Sequence, residues 1–305
     1  MSTPTFPSPS KPVSIEGPLK VLLLENIHPS AEDMLAAEGF VVERLKGALK
    51  PEELEERLPD VHLVGIRSKT NVWEPALAKA PNLLAVGAFC IGTNQIDLQA
   101  ANRNGVPVFN APFSNTRSVA ELVIAEIVML SRQLGDRTRE VHAGQWRKMA
   151  VGSHEVRGKT LGIIGYGHIG SQLGVLAEAM GMRVAYYDVM TKLPLGNARP
   201  VPTLGELLEV ADFVTLHVPA TPSTEWMIGA DELARMKKGS YLINASRGSV
   251  VDIPALAHAL QSQHLAGAAI DVYPQEPEKN SDGFATPLQG LSNVVLTPHI
   301  GGSTE

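Results

Sequence analysis

Residues 161–170 read LGIIGYGHIG, an apolar run that passes into glycines at positions 165, 167 and 170. LGII has the composition of a buried strand, and the residues after the third glycine have the period of a helix. A turn between strand and helix that binds pyrophosphate needs glycines for the tight bend and for close approach of the backbone. The helix N-terminus then offers free N–H groups to the anion. The stretch therefore predicts a dinucleotide-binding β-turn-α unit, with Gly165, Gly167 and Gly170 at the turn.

An acidic residue follows the turn at the distance that a dinucleotide site requires. The next strand, RVAYYD, ends in Asp188, eighteen residues after Gly170. A carboxylate there can bond both ribose hydroxyls and would repel a 2′-phosphate, which favours NAD over NADP. Strand, helix and acid in register favour a cofactor over a turn without a ligand. A methyltransferase could use a similar loop and acid, so the turn alone leaves the reaction open.

Strands and helices alternate on both sides of this unit. Residues 18–114 contain five apolar runs separated by amphipathic segments, and a second alternation of about six strands follows a long apolar helix at 118–134. Strands that alternate with helices predict parallel sheets with crossover helices. The expected fold is therefore α/β, with two doubly wound parallel-sheet domains. Residues 1–17, rich in Pro and Ser, are expected to form a disordered arm.

Composition excludes several classes of protein. The net charge of −6 argues against a general nucleic-acid or acidic-membrane surface. Cys90 is the only cysteine, and the nine histidines show no tight ligand spacing, so neither a disulfide nor a metal site is expected. The apolar runs are too short to span a bilayer and no secretory signal is present. The sequence predicts a cytoplasmic protein.

Three strand ends supply side chains for chemistry. Arg247 follows LINAS, Glu276 follows AAIDVYPQ, and His299 follows VVLTP. Parallel strands place these ends at the same sheet edge as the glycine turn. A guanidinium can hold a carboxylate, an imidazole can exchange a proton near neutral pH, and a carboxylate can orient that imidazole. This combination suits hydride transfer involving a 2-hydroxy acid. His217, at the end of FVTLHVP, is expected to contact the cofactor rather than to catalyse.

The motifs GIIGYGHIG, LINASRGSVVD, AAIDVYPQEP and LTPHIGG resemble those of the D-isomer-specific 2-hydroxy acid dehydrogenases. More narrowly, GIRSKT and GVPVFNAPFSNTRSVAELVI resemble the bacterial D-3-phosphoglycerate dehydrogenases, which begin serine biosynthesis. The resemblance runs from about residue 18 to the end. It implies a Rossmann NAD-binding domain, residues 115–301, inserted into a flavodoxin-like substrate domain formed by residues 18–114.

The resemblance also implies roles for individual residues. Arg247 would orient the substrate, Glu276 would support His299, and His299 would exchange the proton. Asp271 would meet the nicotinamide amide. The further expected contacts with NAD are Gly165, Gly167, His168, Ile169, Gly170, Asp188, His217, Ala245, Ser246, Arg247, His299, Gly301 and Gly302.

The substrate phosphate needs cationic donors. By the resemblance, Arg67, Ser68 and Lys69 in GIRSKT would bind it, with Asn115 close to the substrate. Lys46 and Lys148 are possible helpers, with ordinary surface lysine as the alternative interpretation. The helix at 118–134 would form a homodimer contact, with a higher oligomer possible in a full-length protein.

The family continues after the final GGST with a helix that returns to the first domain, so residues 302–305 are expected to be only its beginning. The phosphoglycerate dehydrogenases then add a serine-sensing domain, and neither part is expected in this chain. The expected reaction is NAD-dependent oxidation of D-3-phosphoglycerate to 3-phosphohydroxypyruvate. A hydroxypyruvate or glyoxylate reductase and an NAD(H)-sensing scaffold are the alternatives.

Overall fold

The computed structural model describes residues 17–277 and 281–304. The chain divides into two compact units, Met1–Ser114 and Asn115–Glu305, called unit 1 and unit 2 below. The predicted arm, apart from Gly17, lies outside the described residues. None of the described helices is long and apolar enough to cross a membrane.

Unit 1 contains a five-stranded parallel sheet in the order β2-β1-β3-β4-β5. This is the strand order of the flavodoxin-like doubly wound fold. The strands are β1 (Lys20–Leu23), β2 (Val41–Arg44), β3 (Leu63–Ile66), β4 (Ala85–Ala88) and β5 (Val108–Asn110).

The helices of unit 1 begin at residues that favour a helix start. They are α1 (Pro29–Ala37), α2 (Pro51–Arg57), α3 (Glu74–Ala78) and α4 (Leu98–Arg103), with a 3-10 turn at Leu58–Asp60. Proline occupies one of the first two positions of α1, α2 and α3, where its missing N–H costs no hydrogen bond. Asp97 caps α4 by accepting the N–H of Ala100 at 2.8 Å.

The sheet of unit 1 is buried on both faces. Side chains alternate along β1, so Leu22 packs into one cluster with Val64 and Val86, and Leu23 packs into another with Val21. Helices cover both faces, as a parallel sheet requires. The ends of β1 and β3 are thereby held rigidly, which matters for the loops that follow them.

Unit 2 contains a seven-stranded parallel sheet in the order β12-β11-β10-β9-β6-β7-β8. The order reverses between β6 and β9, which is the switch point of a Rossmann sheet. The strands are β6 (Thr160–Ile164), β7 (Arg183–Tyr187), β8 (Arg199–Pro200), β9 (Phe213–Leu216), β10 (Tyr241–Asn244), β11 (Gly267–Ile270) and β12 (Val294–Leu296). The sequence predicted about six strands. The seventh, β8, has only two residues and no apolar run that could have revealed it.

The helices of unit 2 include one that was not predicted from the sequence. They are α5 (Thr116–Ser131), α6 (Leu134–His142), α7 (His168–Ala179), α8 (Leu204–Val210), α9 (Ala230–Arg235) and α10 (Ile253–Gln261), with a 3-10 turn at Gly248–Val250. The prediction of one helix over 118–134 was wrong at its C-terminal end. Gln133 has a φ of 50°, in the left-handed region, and this separates α5 from α6. No residue of α6 is buried, so α6 has no core-facing stripe to mark it.

The buried face of α5 packs within its own unit. Its side chains, including Val123 and Ile127, share a core cluster with Leu173 of α7 and with Ile163 of β6. This core fixes the carboxyl ends of β6, β7, β10, β11 and β12, from which the candidate site residues extend.

Residues 302–304, expected to begin a return helix, are not helical and belong to unit 2; Gly302 lies in a turn with Gly301. Ser303 N–H donates to Ile300 O at 2.8 Å, and Thr304 Oγ1 lies 3.0 Å from Ser118 Oγ.

Candidate active site

The three glycines of the turn differ in what a side chain at each position would meet. Gly165 has a φ of 90°, and a Cβ there would lie 2.6 Å from His217 O. A Cβ on Gly170 would collide with the carbonyl oxygen of Gly165. At Gly167, by contrast, a Cβ would meet no atom within 4 Å. Two of the glycines are therefore required by the protein's own packing, and the third leaves open space above the turn.

This open space fits a pyrophosphate. Gly167 is the N-cap residue of α7 and no side chain caps the helix. The first N–H groups of α7 are therefore left to an anion, and the helix dipole favours negative charge there. Of the remaining predicted contacts in the turn, His168 begins α7 and Ile169 packs against the core beneath it. The turn can hold the pyrophosphate of a dinucleotide.

Asp188 lies directly after β7, beside the turn. Its Oδ2 accepts the N–H of Tyr166 at 2.8 Å, and its Oδ1 accepts the N–H of Met190 at 2.8 Å. These bonds fix the carboxylate against the glycine turn while the residue stays partly exposed. The arrangement fits a carboxylate that binds the ribose hydroxyls of a dinucleotide.

His299 and Glu276 form a hydrogen-bonded pair at the same sheet edge. His299 Nδ1 lies 2.8 Å from Glu276 Oε2, and the other carboxylate oxygen accepts the N–H of Tyr273 at 3.1 Å. The two side chains are 51% and 36% exposed, so a small molecule can reach the imidazole. With Nδ1 facing the carboxylate, Nε2 is the ring nitrogen that can exchange a proton with a substrate.

The pairing shifts both pKa values. The hydrogen bond that His299 donates to the Glu276 carboxylate raises the pKa of His299 above its ordinary value, more than burial lowers it, and the charge of Glu276 adds to the rise. Burial is the largest influence on Glu276 and acts to raise its pKa. The hydrogen bonds from His299 and Tyr273 N–H, with the charges of His299 and Arg247, outweigh it, and the pKa of Glu276 is lowered. The pair favours a protonated imidazole beside an ionised carboxylate.

Asp271 holds the backbone around His299. It is 1% exposed. Its Oδ1 accepts Thr297 Oγ1–H at 2.6 Å and Ile300 N–H at 2.8 Å, and its Oδ2 accepts Gly301 N–H at 2.8 Å. His299 has a φ of 55°, a strained value for a non-glycine residue, and its N–H donates to Asp271 O at 2.7 Å. The carboxylate expected to meet the nicotinamide amide is thus also the anchor of the His299 loop.

Two glycines complete this loop. A Cβ on Gly301 would lie 2.9 Å from Asp271 Oδ2, and a Cβ on Gly302 would collide with the side-chain amide of Asn115. Asn115 is the N-cap residue of α5, and its buried Oδ1 has no hydrogen-bond partner among the described residues.

Arg247 follows β10 in a tight local network. Its guanidinium donates to Ser246 O at 2.7 Å, and Asn244 Nδ2 donates to Arg247 O at 3.0 Å. Ser246 is buried and donates to Asn244 Oδ1 through both its N–H and its hydroxyl, while Ala245 packs partly buried against the core. The charge of Arg247 acts on both Glu276 and His299, which places all three side chains in one electrostatic neighbourhood.

His217 lies after β9 with its Nε2 3.0 Å from Thr215 Oγ1. Burial lowers the pKa of His217 to about 3, so the ring is neutral at physiological pH. Its Nδ1 is buried without a partner among the described residues. A neutral ring with one free nitrogen suits a contact better than a proton donor.

One buried ionisable residue of unit 2 was not predicted from the sequence. Glu126 lies on α5, is 1% exposed, and neither carboxyl oxygen has a hydrogen-bond partner in the described part of the chain. Burial, aided by the charge of Asp271, raises the pKa of Glu126 to about 8. The apolar helix around it gave no signal that its acid would face inwards. No group of three or more potential metal ligands occurs among the described residues.

The residues predicted to bind the substrate phosphate lie in unit 1. Arg67, Ser68 and Lys69 follow β3 and are exposed, whereas Thr70 is fully buried. Lys46 in unit 1 and Lys148 in unit 2 are exposed.

Comparison with known proteins is consistent with this geometry. Residues 124–301 match the family model described as "D-isomer specific 2-hydroxyacid dehydrogenase, NAD binding domain". This range covers the glycine turn, Asp188 and the His299–Glu276 pair.

Two named relatives extend the similarity across nearly the whole chain. The chain is 58% identical over 303 residues to D-3-phosphoglycerate dehydrogenase 1 of Saccharomyces cerevisiae, covering 97% of this chain and 64% of that protein. It is 59% identical over 287 residues to D-3-phosphoglycerate dehydrogenase of Dictyostelium discoideum, covering 94% of this chain and 70% of that protein.

A solved structure supports the fold and the cofactor. The crystal structure of D-lactate dehydrogenase from Aquifex aeolicus, complexed with NAD and lactic acid, is similar with a TM-score of 0.81 and 30% identity, covering 93% of this chain and 90% of that one. The predictions of an α/β fold with two parallel sheets and of NAD as cofactor are confirmed. The chain belongs to the D-isomer-specific 2-hydroxy acid dehydrogenase family, whose NAD-binding domain spans residues 124–301.

Proposed function

We propose that this chain catalyses the NAD-dependent oxidation of D-3-phosphoglycerate to 3-phosphohydroxypyruvate, the first step of the phosphorylated route to L-serine. The observation that carries the reaction type is the His299–Glu276 hydrogen bond of 2.8 Å at the sheet edge that bears the glycine turn. The substrate is supported by relatives named D-3-phosphoglycerate dehydrogenase, which are 57–59% identical across 94–98% of this chain.

The proposed roles follow from the chemistry of each group. The turn at residues 165–170 would hold the pyrophosphate of NAD⁺ and Asp188 its ribose, and the bound cofactor would accept the hydride from C2 of the substrate. His299 Nε2 accepts the proton of the C2 hydroxyl, and Glu276 holds the opposite side of the ring. The Arg247 guanidinium binds the substrate carboxylate with its forked donors. In the reverse direction the protonated His299 returns the proton to the C2 oxygen.

The remaining predicted contacts belong to the same proposal. Ala245, Ser246, His217, Gly301 and Gly302 would line the cofactor, and Asp271 would bind the nicotinamide amide. Arg67, Ser68 and Lys69 would bind the substrate phosphate, with Asn115 near the substrate and Lys46 and Lys148 as further candidates. A doubly charged phosphate requires such cationic donors, and hydroxypyruvate and glyoxylate lack a phosphate for them to bind.

The test is a comparison of keto acids in the reductive direction. NADH oxidation would be followed with 3-phosphohydroxypyruvate, hydroxypyruvate and glyoxylate. We expect kcat/KM to be highest for the phosphorylated substrate, and Arg67→Ala to remove most of that preference. Arg103→Ala is the matched control, because Arg103 is another exposed arginine of unit 1, paired with Glu74 at 2.8 Å.

Other outcomes would support the alternatives. Preference for hydroxypyruvate or glyoxylate in the wild-type chain would keep the roles of His299 and Glu276 and overturn the substrate. Tight NADH binding without turnover of any keto acid would favour an NAD(H)-sensing scaffold.

We also infer that the protein is located in the cytoplasm and that it forms a homodimer through the segment 118–134. The homodimer is supported by exposed apolar side chains that follow this segment, among them Val141, Trp146 and Val151, which are 57%, 84% and 76% exposed. Sedimentation at micromolar concentrations should give a dimer or a larger species, and a monomer would contradict the proposal.

A further inference from the structure

The loop that follows β3, residues 67–70, is held in place by the buried carboxylate of Glu25. The Glu25 carboxylate accepts three backbone N–H groups: those of Arg67 at 3.1 Å, Lys69 at 2.9 Å and Thr70 at 2.8 Å. Glu25 is only 8% exposed. One side chain therefore fixes the direction of three peptide groups in a loop that lies more than forty residues away along the chain.

Glu25 is itself fixed by the backbone. It follows β1, and both Glu25 and Asn26 have positive φ values, 59° and 53°. Such conformations are rare for residues other than glycine and persist where the surrounding structure enforces them. Here Glu25 N–H donates to Gly47 O at 3.0 Å and Asn26 N–H donates to Leu45 O at 3.2 Å. The kink turns the Glu25 side chain under the loop after β3 instead of along the strand.

A second group of contacts holds the loop from the other side. Gln95 Nε2 donates to Arg67 O at 2.6 Å, and Cys90 Sγ lies 3.4 Å from the same oxygen. Thr70, at the end of the loop, is fully buried, and its hydroxyl oxygen lies 3.4 Å from Leu49 N. The backbone of residues 67–70 is thus bound on both sides, while the side chains of Arg67, Ser68 and Lys69 remain exposed.

This arrangement determines how the loop can bind an anion. Many phosphate sites use successive backbone N–H groups that converge on the anion. Here the N–H groups of Arg67, Lys69 and Thr70 are occupied by Glu25. Only the N–H of Ser68 is left among the four residues of the loop, so an anion must be bound mainly through side chains. A guanidinium and an ammonium on flexible stems select a phosphate only if the backbone beneath them is held in place.

We propose that Glu25 is a positioning residue that sets the preference for a phosphorylated substrate, by holding the backbone of residues 67–70 so that Arg67 and Lys69 converge on the phosphate. The inference rests on the proposed function and deepens it. Glu25 does not touch the substrate, and the anionic carboxylate is kept from repelling the phosphate by the three N–H groups around it.

The test variant is Glu25→Gln. It preserves the size of the side chain, but an amide has one acceptor oxygen and one NH2 group. At least one loop N–H then faces a donor, and the loop must shift. We expect kcat/KM for 3-phosphohydroxypyruvate to fall by about ten- to a hundredfold. The kcat/KM for hydroxypyruvate and the Kd for NADH should stay within about twofold of the wild-type values, because neither uses the loop.

Controls separate positioning from general damage. Glu43→Gln removes another carboxylate of unit 1, one that forms an exposed pair with Arg57, and should change neither substrate's kcat/KM. An equal loss for both substrates in Glu25→Gln would overturn the inference and indicate a purely structural role, and so would an unchanged preference. If Glu25→Gln fails to fold, Gln95→Met tests the same inference. Methionine has a volume similar to that of glutamine but lacks the amide that donates to Arg67 O. Gln95→Met should give the same selective loss, and a loss common to both substrates, or none, would overturn the inference.

The same experiment distinguishes the two proposals. A wild-type chain without preference for the phosphorylated substrate would refute the proposed function before any variant is measured. A wild-type preference that survives in a folded Glu25→Gln variant would refute only the role of Glu25.

Discussion

His299 occupies a position that is held more firmly than its exposure suggests. Its side chain is half-exposed, yet its backbone has a φ of 55° and is tied to Asp271 by hydrogen bonds from the 297–301 loop. A strained, well-anchored histidine beside a carboxylate is typical of a residue selected for chemistry. Its role in proton exchange remains a prediction.

His299→Ala should lower kcat in both directions by about 10²- to 10⁴-fold, the usual contribution of one acid–base group. The glycine turn lies elsewhere on the sheet edge, so NADH affinity should change much less. Stopped-flow turnover and fluorescence titration of NADH would measure the two quantities. Parallel losses in turnover and in affinity would contradict the assignment of His299 as the proton-exchanging group.

The His299–Glu276 pair also predicts the direction of a pH effect. Oxidation needs neutral His299, so its rate should rise with pH through the raised pKa of His299. Reduction needs the protonated ring and should fall with pH through the same pKa. Glu276→Gln removes the carboxylate, which lowers the pKa of His299. Both midpoints should therefore move to lower pH.

Profiles of kcat/KM against pH in both directions would measure this shift. Glu121→Gln is the control, because Glu121 forms an exposed ion pair with Arg117 on α5. Midpoints that stay in place or move upwards in Glu276→Gln would show that the carboxylate does not govern the proton affinity of the ring.

Among the elements, the β6-turn-α7 unit shows that two of its glycines, Gly167 and Gly170, are expected to be needed for different reasons. Gly170 is required by the fold, because a Cβ there would collide with Gly165 O. Gly167 has no atom within 4 Å of its Cβ position, so the protein alone would tolerate alanine there. We therefore expect any requirement for glycine at 167 to come from a bound anion that approaches the backbone.

Gly167→Ala should leave the unfolding temperature nearly unchanged and weaken NADH binding by tenfold or more, on the order of 1.4 kcal/mol. Gly170→Ala should instead destabilise unit 2 by about 1–3 kcal/mol through overpacking. Thermal unfolding without cofactor and NADH titration would separate the two effects. Normal NADH affinity in a folded Gly167→Ala variant would show that the pyrophosphate does not approach this residue.

The whole molecule has separate hydrophobic cores in its two units. The core clusters of unit 1 contain buried residues between Val21 and Val106, and those of unit 2 contain buried residues between Val119 and Leu288. Among the residues that the structure describes, none belongs to clusters of both units. Each unit therefore has its own source of stability.

We expect calorimetry to resolve a transition for each unit. NADH at about 100 times its Kd should stabilise unit 2 by about 2.7 kcal/mol and leave the other transition in place. Leu54→Ala and Leu173→Ala are matched variants, because both leucines are fully buried, one in each unit. Each variant should lower the free energy of unfolding of its own unit only, by about 2–5 kcal/mol. One transition that shifts as a whole with NADH and with either variant would contradict independent cores.

The sequence alone indicated most of the architecture and the main members of the candidate site. Strands and helices reveal themselves through local apolar periods, and the glycine turn, Asp188, Arg247, Glu276 and His299 each lie next to such a run. Because parallel strands end at a common edge, adjacency along the chain was enough to bring these residues together. Where the local pattern was weak, as in the two-residue β8 and in α6 without a buried face, prediction failed.

The support beneath the site became visible only in three dimensions. Glu25 holds Thr70 from 45 residues away, Asp271 holds Gly301 from 30 residues away, and Glu126 turns its acid into an apolar core. Glu25 and Asp271 each follow a strand, and Asp271 stands in a motif, but neither position indicates which distant N–H groups its carboxylate accepts. Local sequence patterns follow from the period of a helix or a strand. The contacts of Glu25, Asp271 and Glu126 depend instead on which distant segments of the chain pack together. A single sequence does not show which segments those are.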